Sequence, residues 1–460
     1  MITLTSFSNK PIGVLGLGRS GLSAARALKA GGSDVWAWDD TRDNRLNAEK
    51  EGIKLTDLYK SDFSKLDKLI LSPGIPDQYP KPHILAARAR DAGCEIICDI
   101  DILARENTAA RFIGVSGTNG KSTTTALIGH IFNHANYKAE IGGNLGVPAL
   151  ELSRLDETGT YVLEISSYQL ERIPSMELDT ALLLNISPDH LDRHGGMDGY
   201  VAAKKILFAR TRKSSKTIIG MEDSYCRGIC MELMIDRGTE NIVPISASSR
   251  VPGGIYVDNG ILIDDLENSQ DIIMELSGVS KLPGQHNWQN VAGAYAVARS
   301  VGLQPDLIVG GIKSFGGLSH RQELITCTNG VSFINDSKAT NTEAAAKALV
   351  CYDNIHWILG GQFKEKSLGA LESVLEKVMR AYLIGDDVED LDNLLSSFVP
   401  VSRCGDMKTA VREAFRDASL SIPSVVLLSP ACASFDQFKD FEERGDAFRN
   451  IVEDLGISSS

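Results

Sequence analysis

The sequence predicts an α/β protein of three domains, and three observations carry that expectation. Short apolar runs alternate with helix-periodic stretches along nearly all of the 460 residues, the pattern of parallel sheets covered by helices. Two of the runs open directly into glycine-rich turns, "VLGLGRSG" at 14–21 and "GVSGTNGKSTTT" at 114–125. The chain is also too long for one hydrophobic core. The expected blocks are 1–106, 107–316 and 317–460.

In the first block, strands are expected at Ile12–Leu15, Val35–Trp38, Lys68–Leu71 and Glu95–Cys98, with a helix from about Gly21. A helical connector, Asp99–Glu106, leads to a strand at Arg111–Val115. The second block continues with Tyr161–Ile165, Ala181–Ile186 and Thr217–Gly220. "VDNGIL" at 257–262 is an Asn-Gly hairpin signal, so part of this sheet is expected to be antiparallel. A helix near Gln289–Val301 precedes "GGIKSFGGLSHR", residues 310–321, expected as a hinge. Third-block strands are expected near Val331–Asn335, His356–Leu359, Tyr382–Ile384 and Val425–Leu428.

Composition narrows the function. The chain is 43% hydrophobic and 23% charged, with mean hydropathy −0.07, as in ordinary globular proteins. A net charge of −13 argues against a nucleic-acid partner, which needs a basic footprint. No apolar run approaches membrane-spanning length, and Met1–Pro11 lacks a signal-peptide layout. Eight cysteines without paired metal spacing suit a reducing compartment, and Cys94/Cys98 and Cys226/Cys230 read as core or incidental residues. A cytoplasmic monomer with small-molecule partners, no nucleic acid and no membrane is expected.

The first glycine turn reads Gly16-x-Gly18-x-x-Gly21 after a strand, with Asp39 and Asp40 closing the next strand. This arrangement suits a dinucleotide, any other diphosphate at a helix N-terminus, or a bare tight turn. Arg19 inside it either touches a diphosphate or faces water. The second turn ends in Gly120-Lys121-Ser122, as a phosphate-binding loop does, yet Val115 stands where the usual pattern has glycine. Lys121 can place a cation on transferring phosphates, Ser122 can reach Mg²⁺, and the helix-start amides complete an anion cradle. A redox enzyme built on the first turn alone leaves this second loop without a purpose. Glu164, ending the strand in "YVLEISSYQLE", suits a Mg²⁺ ligand. "NISPDHLDRH" packs Asp189, His190, Asp192 and His194 together after another strand, and some of these are plain loop polarity. His130 and His134 read as a solvated helix face, and Lys204 in "YVAAKK", by itself, as a surface lysine.

With these motifs and "GQHNWQN" at 284–290, the sequence resembles the Mur ligase family, whose loop reads Gly-Thr-Asn-Gly-Lys-Ser/Thr. The altered frame around Val115 is that family's own. "NDSKATN" at 335–341 and "LSPACASFDQFKDFEERG" at 428–445 narrow the resemblance to the members that add D-glutamate. The resemblance implies a Rossmann-like N-terminal domain that binds a UDP-linked substrate. It implies a central P-loop ATPase-type domain, its sheet mostly parallel with a small antiparallel part, and a Rossmann-like C-terminal domain that binds the amino acid. The implied activity is ATP-dependent ligation of D-glutamate to UDP-N-acetylmuramoyl-L-alanine in peptidoglycan precursor synthesis, through an acyl phosphate.

Residue roles follow from the same resemblance. Gly117, Thr118, Asn119, Gly120, Lys121, Ser122 and Thr123 would cradle ATP, with Asn287 and Asn290 on the adenine and Arg321 and Asp336 on the nucleotide. Two Mg²⁺ sites would draw on Ser122, Glu164, His190 and Lys204, the last in carbamylated form. Ser20, Asp40, Thr41, Arg42, Ser72 and Gly74 would hold the UDP moiety, while Asn144 and Ser166 contact the rest of that substrate. Lys338 and Thr340 would lie near the reacting groups, and Lys364, Ser434, Phe435 and Phe441 would receive D-glutamate. "GGQFKEKS" departs from the usual glycine-rich form, leaving Lys364 or Lys366 as the glutamate-binding lysine; Lys364 is chosen by its distance from Gly361.

Overall fold

In the computed structural model, which describes residues 2–144, 146–279, 281–363 and 367–455, the chain forms three sheets. It divides into two compact units, Met1–Leu276 with Trp288–Ser314, and Ser277–Asn287 with Phe315–Ser460.

The first unit carries two sheets. One has strand order β2-β1-β3-β4, from β1 (Pro11–Leu15), β2 (Asp34–Trp38), β3 (Lys68–Leu71) and β4 (Glu95–Ile97), all parallel. The helix Arg19–Ala30 follows β1, and a side chain at Gly21 would run into the Gly16 carbonyl. That position needs glycine for close packing of turn and helix. The helix Asp99–Glu106 ends this block where the sequence placed it.

The second sheet is nine-stranded. Its strands are β5 (Arg111–Ser116), β6 (Ala139–Gly143), β7 (Thr160–Glu164), β8 (Leu178–Leu183), β9 (Thr211–Gly220), β10 (Ile242–Ser246), β11 (Ile255–Asp258), β12 (Ile261–Asp264) and β13 (Asp271–Glu275). The order is β13-β12-β11-β10-β9-β8-β5-β7-β6, parallel from β6 to β11 and antiparallel at β11–β12–β13. Asn259 and Gly260 turn the β11–β12 hairpin at φ 50° and 81°, the left-handed pair an Asn-Gly turn requires. Apolar residues on both faces of β5, β7 and β8 are fully buried, as in a parallel sheet covered on each side.

The second unit holds β14 (Glu323–Thr328), β15 (Val331–Asn335), β16 (Ile355–Gly360), β17 (Val378–Ile384), β18 (Val401–Gly405) and β19 (Ser424–Leu428). Their order is β14-β15-β19-β16-β17-β18, parallel except for the β14–β15 hairpin. Trp357 is fully buried on β16 and donates from Nε1 to the Ser429 carbonyl at 2.8 Å.

The stretch 310–321 expected as a hinge is helical in its first part, and the boundary between the two units falls inside it, after Ser314. Gly310–Ser314 forms the end of the helix Pro305–Ser314, because Gly310 and Gly311 pack closely on His134 and Ile131 of the helix Lys121–His134. Among the described residues, no helix is long and apolar enough to cross a membrane.

Candidate active site

Ligands in open α/β sheets lie beyond the carboxyl ends of the strands, where neighbouring connections run to opposite sides. β1 lies between β2 and β3, and β5 between β7 and β8, so the two glycine turns occupy such points.

Beyond β1 lies a cavity of about 550 Å³ lined by Gly16, Gly18, Arg19, Ser20, Asp40, Thr41, Ser72 and Gly74, among others. The two adjacent acids divide the work. Asp39 is buried and braces the turn, accepting from the Leu17 amide at 2.6 Å and the Thr41 amide at 2.7 Å. Asp40 faces the cavity. Although partial burial opposes it, hydrogen bonds from His83, Trp38 and Tyr59 hold its carboxyl below the usual range. Ser72 Oγ donates to the Gly16 carbonyl at 2.9 Å and fixes the opposite rim. Arg42 opens the next helix but is exposed and does not line the cavity. Arg19, left open between diphosphate and water, lines the cavity and donates to the Gly146 carbonyl.

Beyond β5, Gly117 and Gly120 take φ 154° and 85°, and Gly120 caps the helix Lys121–His134. A Cβ on Gly120 would clash with Asn290 Oδ1, which also accepts from Thr124 Oγ1 at 3.2 Å. Asn290 therefore stands buried behind the loop and shapes it. Thr118 Oγ1 lies 3.0 Å from Tyr200 Oη and receives the Ser187 amide, also at 3.0 Å. The Asn119 amide donates to Asn185 Oδ1 at 2.9 Å. Lys121 folds over this loop, donating to the Gly117 and Thr118 carbonyls at 2.9 and 2.8 Å. Ser122 and Thr123 begin the helix.

A second cavity, of about 210 Å³, brings Lys121, Asn144, Ser166, His190 and Lys204 together with Pro73, Gly74 and Tyr168. Glu164 ends β7 with 2% exposure; its Oε1 accepts from Asn144 Nδ2 at 2.8 Å, while Oε2 has no hydrogen-bond partner. A buried carboxylate oxygen left so is costly, and it suits a hard cation. Ser166 caps the helix Ser167–Leu170 through a reciprocal box with Gln169. Lys204 is not a surface residue, as its own sequence context had suggested: it is 1% exposed, donating to the Gly117 carbonyl at 2.8 Å and Ser116 Oγ at 3.2 Å. Burial, with the Lys121 charge adding, drives its ammonium well below the ordinary lysine value. His190 sits in a left-handed turn, half-exposed, its Nε2 3.5 Å from Asp189 Oδ2; desolvation lowers its imidazole from the ordinary value. His194 points elsewhere. It is buried, stacked on Tyr168, with Nε2 2.9 Å from Ser167 Oγ, a structural part the sequence did not separate from His190. His130 meets Ser314 Oγ at 2.9 Å, whereas His134 is exposed. Cys94, Cys98, Cys226 and Cys230 are buried free thiols, and no group of three or more His, Cys, Asp or Glu among the described residues could hold a metal.

In the second unit, the expected residues also gather past strand ends. Asp336 follows β15 and is buried, accepting from Ser429 Oγ at 2.8 Å and the Gln322 amide at 3.2 Å; burial pushes its carboxyl up to about 7. Arg321 lies between His320 and Gln322, at φ 62° and 45°. Asn287 donates to the Pro283 carbonyl at 2.7 Å. The Lys338 ammonium rests 3.6 Å from the centre of the Phe441 ring. Ser434 is buried, Phe435 is 64% exposed and Thr340 half-buried. Lys364 and Lys366 lie outside the described residues. Sequence reasoning missed Arg444. It is 1% exposed and donates to Ser337 Oγ and to the Ser337, Gly360 and Cys432 carbonyls, which ties the loops after β15, β16 and β19 together.

Family models for the Mur ligase middle domain and for the Mur ligase glutamate ligase domain match residues 115–298 and 320–432. UDP-N-acetylmuramoylalanine–D-glutamate ligases of Caulobacter sp. (strain K31) and Rhodospirillum rubrum are each 46% identical to the chain, covering 99% of it and 98% and 97% of themselves. Among solved structures, the UDP-N-acetylmuramate-alanine ligase of Thermotoga maritima superposes with TM-score 0.61 at 17% identity, covering 97% of this chain and 99% of its own. A pseudomurein peptide ligase type C from Methanothermus fervidus gives 0.56 at 19% identity, covering 97% and 100%. The chain belongs to the Mur ligase family, within its UDP-N-acetylmuramoylalanine–D-glutamate ligase group.

Proposed function

We propose that this chain joins D-glutamate to UDP-N-acetylmuramoyl-L-alanine at the expense of ATP, in the cytoplasm, as a monomer. One observation carries the proposal: the two cavities of the first unit share Pro73, Gly74 and Asn144 as a common wall. A substrate with a diphosphate at one end and a carboxylate at the other can lie along that wall, its diphosphate on the first glycine turn and its carboxylate beside Lys121. In this reading 1–106 takes the UDP-linked substrate, 107–316 ATP and 317–460 the amino acid, and the presence of one sheet within each stretch supports that division.

A carboxylate does not acylate an amine at neutral pH, because its anion is a poor electrophile. Its oxygen attacks the γ-phosphorus, ADP departs, and the acyl phosphate then has a good leaving group. The neutral amine of D-glutamate attacks the acyl carbon, the nitrogen gives up one proton to water, and phosphate leaves with the C–O bonding electrons. Bringing an anionic carboxylate to an anionic triphosphate is the difficulty, and Lys121 offsets that repulsion together with the loop amides. Glu164, whose Oε2 lacks a partner, would hold Mg²⁺ with Ser122, and His190 with Lys204 a second ion. When bound, these ions supply charge neutralisation at the phosphates. So few protein carboxylates suit Mg²⁺, which keeps waters and phosphate oxygens in its shell.

Lys204 fits carbamylation: burial favours its neutral amine, the form that can take up CO₂ and become an oxygen ligand. ¹³C NMR of the Mg²⁺-loaded protein in ¹³C-bicarbonate should give a carbamate signal that disappears in Lys204→Met; persistence of the signal there refutes the assignment. In the second unit, Lys338 would stabilise the tetrahedral oxyanion, with Thr340, Lys364, Ser434, Phe435 and Phe441 receiving the amino acid. Arg321, Asp336, Asn287 and Asn290 would address the nucleotide. Phosphate release with ATP and UDP-N-acetylmuramoyl-L-alanine tests the whole: it should depend on D-glutamate and fail with L-glutamate, L-lysine or no amino acid. Equal release with L-glutamate or L-lysine contradicts it.

A further inference from the structure

The wall shared by the two cavities is held from behind by a buried arginine that none of the motifs contains. Arg172 is 2% exposed, and its guanidinium donates to three main-chain carbonyls, those of Leu71 at 3.4 Å, Ser72 at 3.2 Å and Ile75 at 3.0 Å. These carbonyls bracket Ser72, Pro73 and Gly74, the turn after β3 that lines the glycine-turn cavity; its Pro73 and Gly74 line the P-loop cavity as well. Arg172 itself follows the helix Ser167–Leu170, and Ser166, Ser167 and Tyr168 line the P-loop cavity. Its own carbonyl accepts from the Cys98 amide at 3.1 Å, so both backbone and side chain join the two sheets of the first unit. Arg193 adds a further tie, donating to the Gly74 carbonyl at 3.1 Å with its guanidinium 4.7 Å from the Tyr168 ring centre.

A buried cation held by carbonyls rather than by a carboxylate is an expensive way to fill space. Its Nε has no hydrogen-bond partner, and desolvation lowers it from the ordinary arginine value. A packed apolar side chain would serve plain stability at less cost. The planar fork does what an apolar side chain cannot: it fixes several carbonyls of one turn at once.

We propose that Arg172 is a positioning residue: by fastening the Leu71–Ile75 turn to the segment carrying Ser166 and Tyr168, it sets the wall along which a substrate spanning both cavities lies, and so where that substrate presents its carboxyl. The inference rests on the ligase function proposed above for its kinetic consequence, but not for its structural one.

The test uses the full-length protein with Arg172→Lys, which keeps the charge but not the fork, and Arg172→Gln, which loses the charge. Hydrogen exchange of the 71–77 segment should quicken roughly tenfold or more in both variants, while the helix 121–134 exchanges as before. With ATP and D-glutamate saturating, KM for UDP-N-acetylmuramoyl-L-alanine should rise about fivefold or more and kcat fall about tenfold, because small displacements of a positioned group are costly in rate. KM for ATP should stay within about twofold. Unchanged exchange at 71–77 overturns the inference, as does a lysine variant with wild-type constants. A uniform rise in every KM also overturns it, since that marks a loosened protein rather than a misplaced wall. If the wild type itself fails to turn over UDP-N-acetylmuramoyl-L-alanine, the ligase proposal falls, and the exchange comparison still decides whether Arg172 holds the turn.

Discussion

Replacing Gly120 with alanine probes the phosphate loop at the point where its geometry is tightest. Gly120 has φ 85°, and a left-handed backbone costs an alanine about 1–2 kcal/mol. The added methyl would also meet Asn290 Oδ1, displacing the carboxamide that accepts from Thr124 Oγ1 at 3.2 Å. Thr124 and Asn290 are buried, so losing that bond adds about 1–2 kcal/mol. The loop can escape by opening, and ATP must then close it again at a cost of roughly 2–4 kcal/mol. At about 1.4 kcal/mol per decade, ATP affinity should fall between about thirtyfold and several hundredfold. Isothermal titration with a non-hydrolysable ATP analogue measures this directly. The double variant Gly120→Ala/Asn290→Ala, compared with Asn290→Ala alone, should show a smaller penalty because only the backbone part remains. An unchanged affinity in Gly120→Ala would refute the geometry assigned to the loop.

Three further outcomes follow from other parts of the molecule. Asp336, with its carboxyl near 7 when folded against about 3.9 unfolded, binds more protons in the native state between these values. Its contribution to stability is therefore fully present below about pH 4 and lost as pH rises to about 7, roughly 4 kcal/mol at most. In denaturant titrations Asp336→Asn should gain on the wild type between about pH 4 and pH 7, and parallel pH profiles would count against the shift. Glu164→Gln should cost about a hundredfold or more in kcat at fixed Mg²⁺, since charge stabilisation by a metal is worth several kcal/mol. Its melting temperature without Mg²⁺ should not fall, because an amide keeps an acceptor for Asn144 Nδ2 and removes the cost of burying a carboxylate, and full activity at low Mg²⁺ would exclude Glu164 as a ligand. Asn259→Ala should destabilise the protein by about 1 kcal/mol through its φ of 50° and leave kcat unaltered; an unaltered unfolding midpoint would contradict the turn geometry.

Much of the architecture is legible because parallel strands buried on both faces read as short apolar runs. Lys68–Leu71 and Val331–Asn335 are found where those runs predict them. Edge strands are less visible. β13 and β14 carry mixed polarity, with Ile272 and Leu324 exposed, so neither stands out from loop sequence. Yet Asn329-Gly330, with φ 49° and 79°, turns the β14–β15 hairpin with the same signal that marks Asn259-Gly260, and it was there to be used. Lys204 was legible too. It shares a helix face with Tyr200, Ala203, Leu207 and Phe208, all buried, whereas Lys205 pairs with Glu232 at the surface. Arg172 and Arg444 leave no such trace, because main-chain carbonyls far away in sequence receive them, and local periodicity carries no record of such partners.

Whether a carboxylate is activated by phosphoryl transfer beside Lys121 can be settled by following one oxygen atom. UDP-N-acetylmuramoyl-L-alanine labelled with ¹⁸O in its alanyl carboxylate, turned over with unlabelled ATP and D-glutamate, should release phosphate carrying one ¹⁸O for each amide formed. Unlabelled phosphate accompanying amide formation would contradict the acyl-phosphate route.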